Sequence, residues 1–519
     1  MLLDLMFNSK QKVFCAFVDY EKAFDTVWRD GLWYKLNNCG VYRTSKVYNI
    51  IVNMYENVKS CVFSASKKSN YFTSNAGVRQ GENLSPLLFA LFINDLESYL
   101  LAKGNNYIDF KDDVTNNFVK LLVLLYADDT IILSNTASGL QKLLHDLDSY
   151  CTRWRLRVNS SKTKVVVFGK RKAKTKSKFT YRNEELEQVD EFKYLGVVFS
   201  CNATFKKCRI YVKDQATKAM FALLSKGRRL NLPIDVMLDL FDKTVVPVLI
   251  YGCEVWGYEN NAVLDSVYLK FCKYLLGLKT STPNCMVYGE LGAYPVSITI
   301  KVRMVSYWLN IISADDNKIC KLLYNLMYNM HENDTYQSLW LKHVQTVLEV
   351  NGFGYIWVSQ GQNVNVSYVK ELLKSTLQAQ FVQEWNSEMD LSGKCALYKH
   401  LKTEFKLEPY LLKLSRDVFR YIVKFRCSNH KLAIETGRYS GIDRNLRYCD
   451  MCNLDVLGDE YHILFQCIKP DIVTLRQQCI PRHHLHRPSM FKFVQLLQST
   501  DDVKVGKRIS MFIKKCKIT

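Results

Sequence analysis

The clearest pattern of apolar and polar positions lies between Leu121 and Leu133. Five apolar residues lead into the sequence Tyr-Ala-Asp-Asp at 126–129, and three more apolar residues follow one position later. Short apolar runs that are rich in β-branched residues are typical of buried strands. Because Asp tolerates turn geometry, we predict a β-hairpin with Asp128 and Asp129 at its tip.

Further elements are predicted on either side of this hairpin. Residues 14–18 form an apolar run that is typical of a buried strand and ends at Asp19, and residues 165–168 predict another strand. Ser85 as N-cap, with Pro86 at the first helical position, predicts a helix start. An amphipathic helix is predicted by apolar residues at helical spacing, namely Leu140, Leu143, Leu144, Leu147, Cys151 and Trp154.

From about residue 203 onward the periodicity is helical almost throughout. Pro233 is predicted to open a helix that reaches Tyr251, and a further helix at 262–276 is predicted to close at Gly277. A later helix places basic residues four positions apart on one face, namely Arg416, Arg420 and Lys424. Such a stripe either follows nucleic acid or is a plain solvated face, and the pattern alone leaves both readings open.

The composition narrows the class of protein. The chain has 519 residues, 48% of them hydrophobic, which is typical of a globular protein. Its net charge of +21 indicates a polyanionic partner, most simply nucleic acid. The 17 cysteines are scattered and no signal peptide precedes them, which predicts reduced thiols in the nucleus or cytoplasm. No apolar run is long enough to span a bilayer, so no membrane role is expected.

The acidic residues of the hairpin and of the first strand carry the first candidate chemistry. Two adjacent carboxylates in an apolar hairpin are costly to bury unless a cation lies between them, and oxygen ligands suit Mg²⁺. An isolated Asp-Asp pair is nevertheless more often a solvated turn. Asp19 lies 109 positions before Asp128, and two-metal sites take carboxylates from separate segments. Taken singly, Asp19 has the alternative explanation of a helix cap, and Phe24 that of an ordinary core residue.

A glycine-rich loop lies between these acidic segments. Gly77 and Gly81 frame it, and glycine lets the backbone approach a ligand closely. Arg79 and Gln80 lie within the loop, well placed to touch a template base or phosphate. On its own, this segment would be an ordinary glycine loop before a core helix.

In this order, the three segments resemble the reverse transcriptase of non-LTR (LINE-type) retrotransposons. Residues 17–25 resemble motif A of that family, residues 77–86 motif B, and residues 126–129 motif C. The resemblance implies that Asp19, Asp128 and Asp129 are the catalytic carboxylates that hold Mg²⁺ or Mn²⁺. It implies that Phe24 is the aromatic gate against the ribose 2′-hydroxyl. The remaining implied substrate-binding residues are Arg79, Gln80, Gly81 and Tyr126.

The resemblance continues downstream of the hairpin. Residues 159–168 look like motif D, where Lys162 is the candidate to protonate the leaving pyrophosphate, although a loop lysine at a strand start is commoner. Residues 192–199 resemble the primer-grip hairpin of motif E. Between them, residues 170–178 contain six basic residues. This run is open to three readings: a grip on phosphates, a nuclear address, or a solvated hairpin loop.

A second chemical pattern lies near the C-terminus. Cys449, Cys452, His462 and Cys467 have the spacing C-x2-C-x9-H-x4-C. Three thiolates and one imidazole suit tetrahedral Zn²⁺, and such sites fold small loop-rich segments. Chance clustering among 17 cysteines is the alternative. LINE-type proteins commonly carry such a zinc knuckle, so the resemblance implies one here.

The predicted fold class is α+β: a right-hand polymerase palm with an antiparallel sheet and packed helices, followed by mostly helical regions and a small zinc knuckle. Five segments are predicted from this reading. They are the palm with partial fingers (1–200), a helical thumb (201–297), a helical linker region (298–440), the CCHC knuckle (441–475) and a basic tail (476–519).

The predicted function is that of an RNA-directed DNA polymerase that takes an RNA template, a DNA primer and deoxynucleoside triphosphates. A complete LINE protein would carry an endonuclease and fingers before motif A, whereas 18 residues precede Asp19 here. We therefore expect an N-terminally truncated chain that binds primer–template duplex but extends it poorly. The alternative is a non-catalytic nucleic-acid-binding remnant. The acidic triad favours the enzyme, and the incomplete fingers favour the remnant.

Overall fold

The computed structural model describes residues 4–5, 12–64, 67–111, 118–169, 177–333 and 337–519. The chain divides into two compact units. Unit 1 comprises residues 1–208 and 311–342, and unit 2 comprises residues 209–310 and 343–519. The combination of a sheet with many helices confirms the predicted α+β class. The five predicted segments stay a prediction.

Every described strand lies in unit 1. The strands are β1 (Val13–Val18), β2 (Lys59–Ser60), β3 (Phe63–Ser64), β4 (Lys67–Lys68), β5 (Phe72–Thr73), β6 (Ile108–Lys111), β7 (Phe118–Leu121), β8 (Val123–Tyr126), β9 (Asp129–Ser134), β10 (Lys164–Phe168), β11 (Phe179–Tyr181), β12 (Glu184–Gln188), β13 (Glu191–Tyr194) and β14 (Val197–Ser200). Six of them form one sheet in the order β11-β12-β10-β1-β9-β8. All its neighbouring pairs are antiparallel except β10 with β12.

Helices make up most of the remaining regular structure. They are α1 (Arg29–Asn38), α2 (Lys46–Tyr55), α3 (Ser85–Ile93), α4 (Leu96–Ala102), α5 (Ala137–Trp154), α6 (Lys206–Arg229), α7 (Ile234–Thr244), α8 (Val246–Leu249), α9 (Cys253–Trp256), α10 (Ala262–Leu276), α11 (Asn284–Leu291), α12 (Val296–Ile312), α13 (Ile319–Glu332), α14 (Leu339–Val350), α15 (Gly354–Val358), α16 (Val366–Leu391), α17 (Tyr398–Leu401), α18 (Tyr410–Lys413), α19 (Arg416–Arg426), α20 (Ala433–Tyr439), α21 (Glu460–Phe465), α22 (Pro470–Cys479), α23 (Arg482–Leu485), α24 (Met490–Gln498) and α25 (Val503–Lys515). The predicted helical character after residue 203 is therefore confirmed.

The centre of the sheet is apolar because strand β1 lies between β9 and β10 and is covered on both faces. Five of its six residues are buried, which explains a continuous apolar run in place of an alternating one. Helix α5 contacts this sheet through its apolar stripe, and the predicted positions from Leu140 to Trp154 are all buried. Burial of this stripe is what stabilises the helix.

Two predicted helix boundaries were wrong. The helix opened by Pro233 ends at Thr244 and does not reach Tyr251, because Pro247 lacks a backbone N–H and starts a separate turn, α8. Helix α3 begins at Ser85 itself, so Ser85 is not the N-cap. Its hydroxyl instead donates to the Arg79 carbonyl at 2.5 Å and ties the glycine loop to the helix.

Other predicted boundaries agree with the structure. Helix α10 covers residues 262–276 and ends at Gly277, whose φ of +72° suits glycine. The basic run at 170–178 falls largely on residues 170–176, which lie outside the described residues. Among the described helices, none is both long and apolar enough to cross a membrane.

Candidate active site

The acidic pair lies at the tip of the predicted hairpin. Strands β8 and β9 pair so that Tyr126 is opposite Asp129, which leaves a two-residue turn of Ala127 and Asp128. Ala127 has a φ of +53°, a value that the tight turns of such hairpins require. Asp128 thus occupies the turn, and Asp129 is the first residue of β9.

Asp19 is brought to the same end of the sheet by strand register. Val18, the last residue of β1, pairs with Thr130 in the antiparallel ladder of β1 and β9, so the chain continues from Val18 through Asp19 toward Asp129. The charges of Asp128 and Asp19 add to burial in raising the pKa of Asp129. The three carboxylates therefore repel one another, and a divalent cation is the natural counter-charge for such a group.

A turn at residues 159–163 encloses Asp19. The Asn159 amide donates to the Asp19 carbonyl at 2.8 Å, and the Asp19 amide donates to Thr163 Oγ1 at 3.2 Å. Lys162 Nζ lies 3.8 Å from Asp19 Oδ2, with 68% of the lysine side chain exposed. The predicted proton donor is thus adjacent to a predicted metal ligand, although it is solvated.

The glycine loop is fixed to the segment that carries Phe24. Val78 donates to the Phe24 carbonyl at 2.8 Å, and Gly77 donates to the Val27 carbonyl at 2.9 Å. A Cβ at Gly77 would lie 2.6 Å from the Asp25 carbonyl oxygen, so only glycine fits here. The half-buried Phe24 ring packs against Phe89 of α3, with ring centroids 5.2 Å apart.

The other predicted substrate contacts lie on exposed positions. Arg79 Nη1 pairs with Glu82 at 2.9 Å, while its Nη2 donates to the Met54 carbonyl at the end of α2. Gln80 and Gly81 are exposed at the loop tip. The Tyr126 side chain is 63% exposed beside the acidic turn. Their contact with substrate stays a prediction.

Sequence reasoning missed two residues at this site. Thr163 is fully buried and accepts the hydrogen bond from Asp19; a threonine at a strand start was the available signal. Tyr194, in the hairpin of β13 and β14, has its pKa raised to about 12 by burial and then by the charges of Asp129 and Tyr126. Phe17 stacks on Phe192 at 4.3 Å and joins this hairpin to the sheet.

The four predicted zinc ligands converge in unit 2. One ligand atom from each of Cys449, Cys452, His462 and Cys467 lies within 4.8 Å of the others. Cys452 Sγ lies 3.3 Å from His462 Nε2. This donor set and its convergence are compatible with tetrahedral zinc.

The segment around this Cys/His cluster is held by short-range contacts. Asp459 caps helix α21 through the His462 amide, and Arg476 donates to the Cys467 carbonyl at 2.8 Å. A Cβ at Gly458 would lie 2.8 Å from the Cys449 Cα, so a larger residue would push the first ligand away. The positions of the four candidate ligands thus depend on these contacts, and zinc binding stays a prediction.

Residues 3–199 match the family described as reverse transcriptase (RNA-dependent DNA polymerase). The match includes the three carboxylates and the glycine loop, and reverse transcriptases normally use a divalent metal. The resemblance drawn from the motifs is confirmed.

Proteins similar to this chain include polymerases of mobile elements. The RNA-directed DNA polymerase from mobile element jockey of Drosophila melanogaster is 26% identical over 276 residues, 52% of this chain and 28% of the relative. The Pol polyprotein from type-1 retrotransposable element R2 of Nasonia vitripennis is 28% identical over 430 residues, 78% of this chain and 38% of the relative. The chain thus spans well under half the length of these relatives.

A telomerase from Candida albicans, solved with a fragment of telomeric RNA, is similar at 12% identity. The similarity covers 66% of this chain and 50% of the telomerase, with a TM-score of 0.26.

Proposed function

We propose that this chain is the polymerase part of a non-LTR retrotransposon protein and adds deoxynucleotides to a primer 3′-hydroxyl, copying an RNA template. The observation that carries the proposal is the meeting of Asp19, Asp128 and Asp129 at one sheet end inside a reverse transcriptase domain. A nucleic-acid-binding remnant would have no need of three mutually repelling carboxylates. The chain's net charge of +21 is compatible with both polymerase activity and nucleic-acid binding alone.

In this proposal Asp19 and Asp128 hold two Mg²⁺ or Mn²⁺ ions, with Asp129 beside them. Bound there, such ions would neutralise the triphosphate and activate the primer hydroxyl. The chain's own contribution is positional, since the Asn159 and Thr163 contacts fix Asp19 against the hairpin. Lys162, within 4 Å of Asp19, is the proposed donor of a proton to the leaving pyrophosphate.

Phe24 is the proposed gate for the sugar. Its ring is held by Phe89 and by the hydrogen bond between Val78 and its own carbonyl, so it presents a fixed bulk near the carboxylates. We expect Phe24→Ala to admit ribonucleotides more readily, measured as the ratio of ribo- to deoxynucleotide incorporation by an extension-competent protein. An unchanged ratio would assign Phe24 to the core alone.

The Cys/His cluster is proposed to bind one Zn²⁺ as a structural knuckle within residues 441–475. The helical residues 201–297 are proposed to act as the thumb that holds the duplex. RNA template, DNA primer and deoxynucleoside triphosphates are the corresponding proposed partners. Arg79, Gln80, Gly81 and Tyr126 are proposed to contact them through the exposed loop and hairpin tip.

Primer extension on an RNA template tests the proposal. Wild-type chain is compared with Asp128→Asn and with Glu371→Gln, which alters an exposed carboxylate on α16. Extension that Asp128→Asn abolishes and Glu371→Gln leaves intact supports the polymerase. Binding of primer–template duplex is measured in parallel. Duplex binding without extension would favour the binding remnant.

A further inference from the structure

A half-buried group of cations in unit 2 is unused by the proposed polymerase chemistry. Arg416, Arg420 and Lys424 follow one another at single-turn intervals along α19, and all three are half-buried. This differs from the solvated face that the sequence left open. We call these three residues, with Arg228 of α6 and Lys279 after α10, the cation row.

Neighbouring charges in the cation row have the same sign. The pKa of Arg416 is lowered by burial and then by the charges of Arg420 and Arg228. The pKa of Lys424 is lowered by burial and then by Arg420, Lys279 and Lys431. These effects place the side chains close enough to repel one another.

Several of the buried nitrogens lack a protein partner. Arg416 Nε and Nη2 and Arg420 Nε are buried without a hydrogen bond to any described residue. Leaving guanidinium donors buried and unpaired is expensive, and proteins usually avoid it. The row is thus unfavourable unless something anionic completes it.

Groups of the protein itself compensate the positive charge of the cation row only in part. The charge of Asp417 raises the pKa of Arg416 and so acts against the lowering by burial and by the neighbouring arginines. The Asp417 side chain is itself exposed. Arg420 lies against the C-terminal end of α10, with its Nε 3.2 Å from the Cβ position of Gly277. The negative end of a helix dipole offsets a fraction of one charge. Arg228 stacks on Tyr274 of the same helix, which orients its guanidinium without neutralising it.

We propose that the cation row is a binding site for the phosphodiester backbone of a nucleic-acid strand. Three cations at intervals of about 6 Å along one helix face match a row of phosphates. Arginine forks suit phosphate oxygens, and the buried donors would then be satisfied. No base-reading group lies in the row, so the site binds without regard to sequence.

Binding is measured by fluorescence anisotropy with the full chain, without added Mg²⁺ or Mn²⁺. The two probes are a labelled single-stranded RNA and the same RNA paired to DNA. Arg416→Gln/Arg420→Gln is compared with Lys370→Gln/Lys374→Gln, which removes two exposed charges from α16. We expect the arginine variant to bind roughly tenfold more weakly, with a salt slope shallower by about 1–2. The lysine control should change affinity far less.

Several outcomes decide the proposal. If the arginine variant loses affinity for the RNA–DNA hybrid alone, the cation row binds duplex. If it loses affinity for both probes, the cation row binds a single strand. Equal loss in both variants, or no loss in either, overturns the site. Without nucleic acid, the arginine variant should melt no lower than wild type, because it removes like-charge repulsion. If the arginine variant misfolds, the affinity of Lys424→Gln for the two probes is compared with that of the lysine control variant.

This proposal is independent of catalysis. The binding assay contains no nucleotide and no added Mg²⁺ or Mn²⁺, so no chemistry takes place at Asp19, Asp128 and Asp129. A failure of primer extension would therefore leave the cation row untouched, and a failure of the row would leave the polymerase proposal standing.

Discussion

The two candidate metal sites of this chain are built in opposite ways. The acidic site joins Asp19 to Asp128 and Asp129 across 109 positions, through the register of three strands. The Cys/His cluster gathers its four residues from one stretch of 19, Cys449 to Cys467. The first is therefore a property of a folded sheet, whereas the second depends chiefly on a short segment.

This difference has an energetic side. The carboxylates converge because the buried ladder of β1 and β9 fixes them, so repulsion among them is tolerated at the expense of the sheet's stability. The cluster has little core of its own between Cys449 and His462, where most residues are exposed or half-exposed. Metal binding is folding free energy in such segments. Loss of metal should leave the acidic site standing but loosen the cluster.

The largest expected effect is the loss of primer extension when a carboxylate of the acidic site is removed. In an extension-competent protein, Asp19→Asn should lower single-turnover extension about 10³-fold, because metal ions contribute several kcal/mol. Asp19→Asn/Asp128→Asn should be little worse than either single variant, since the residues act as a unit. Multiplicative losses in the double variant would show that the two carboxylates act separately.

The next effect concerns the Cys/His cluster. Cys467→Ser should abolish bound zinc in native mass spectrometry and loosen residues 445–470 in hydrogen exchange, leaving β1, β8 and β9 unchanged. The local cost should be several kcal/mol. Chelation of wild type should reproduce the exchange pattern. Cys39→Ser, an exposed thiol in unit 1, is the control. If protein that is purified under reducing conditions contains no bound zinc, the result contradicts the metal site.

A smaller effect tests the loop that packs against the motif A segment. Gly77→Ala places a Cβ 2.6 Å from the Asp25 carbonyl and forces alanine to a φ of +81°. Gly40→Ala forces a φ of +90° but meets nothing within 4 Å. Both should lose about 1–2 kcal/mol to the left-handed backbone, and Gly77→Ala about 1–3 kcal/mol more. Equal losses in denaturant unfolding would mean that the loop moves aside freely.

The smallest effect concerns Lys35, a buried cation behind the sheet. Its ammonium donates to Asp95 at 2.6 Å and to the Tyr150 hydroxyl at 2.8 Å. Burial lowers its pKa from 10.5 to about 8, against the raising effect of Asp95. The unfolded chain binds this proton more tightly than the folded chain does. Lys35 therefore adds stability as pH rises from about 8 to 10.5.

Lys35→Met removes this dependence. Other groups also titrate in that range, so the difference between variant and wild type is the measured quantity. We expect the free energy of unfolding of wild type, relative to the variant, to rise as pH increases through that interval. A constant difference would show that Lys35 titrates alike in both states.

Local pattern was enough for most elements near the acidic site. Apolar runs predicted β1, β8, β9 and β10, and helical spacing predicted α5, because burial on one or both faces imposes these periods. It failed at Pro247, whose helix-breaking effect was overlooked, and at Ser85, whose hydroxyl turned to the Arg79 carbonyl. Both errors concern a competing local interaction at an element boundary.

The sequence by itself determined the identity of the chemistry. Tyr-Ala-Asp-Asp in an apolar hairpin, the glycine loop and C-x2-C-x9-H-x4-C are each contained in short segments, where spacing alone fixes which atoms can meet. Tertiary structure decided the rest. The contacts of Thr163 and Tyr194 with the acidic site depend on strands that pair across more than 100 positions or on a hairpin packed over β1. Arg416 and Arg420 are half-buried, and some of their nitrogens lack a partner among the described residues, in the neighbourhood of α6 and α10. No single-helix pattern encodes this neighbourhood.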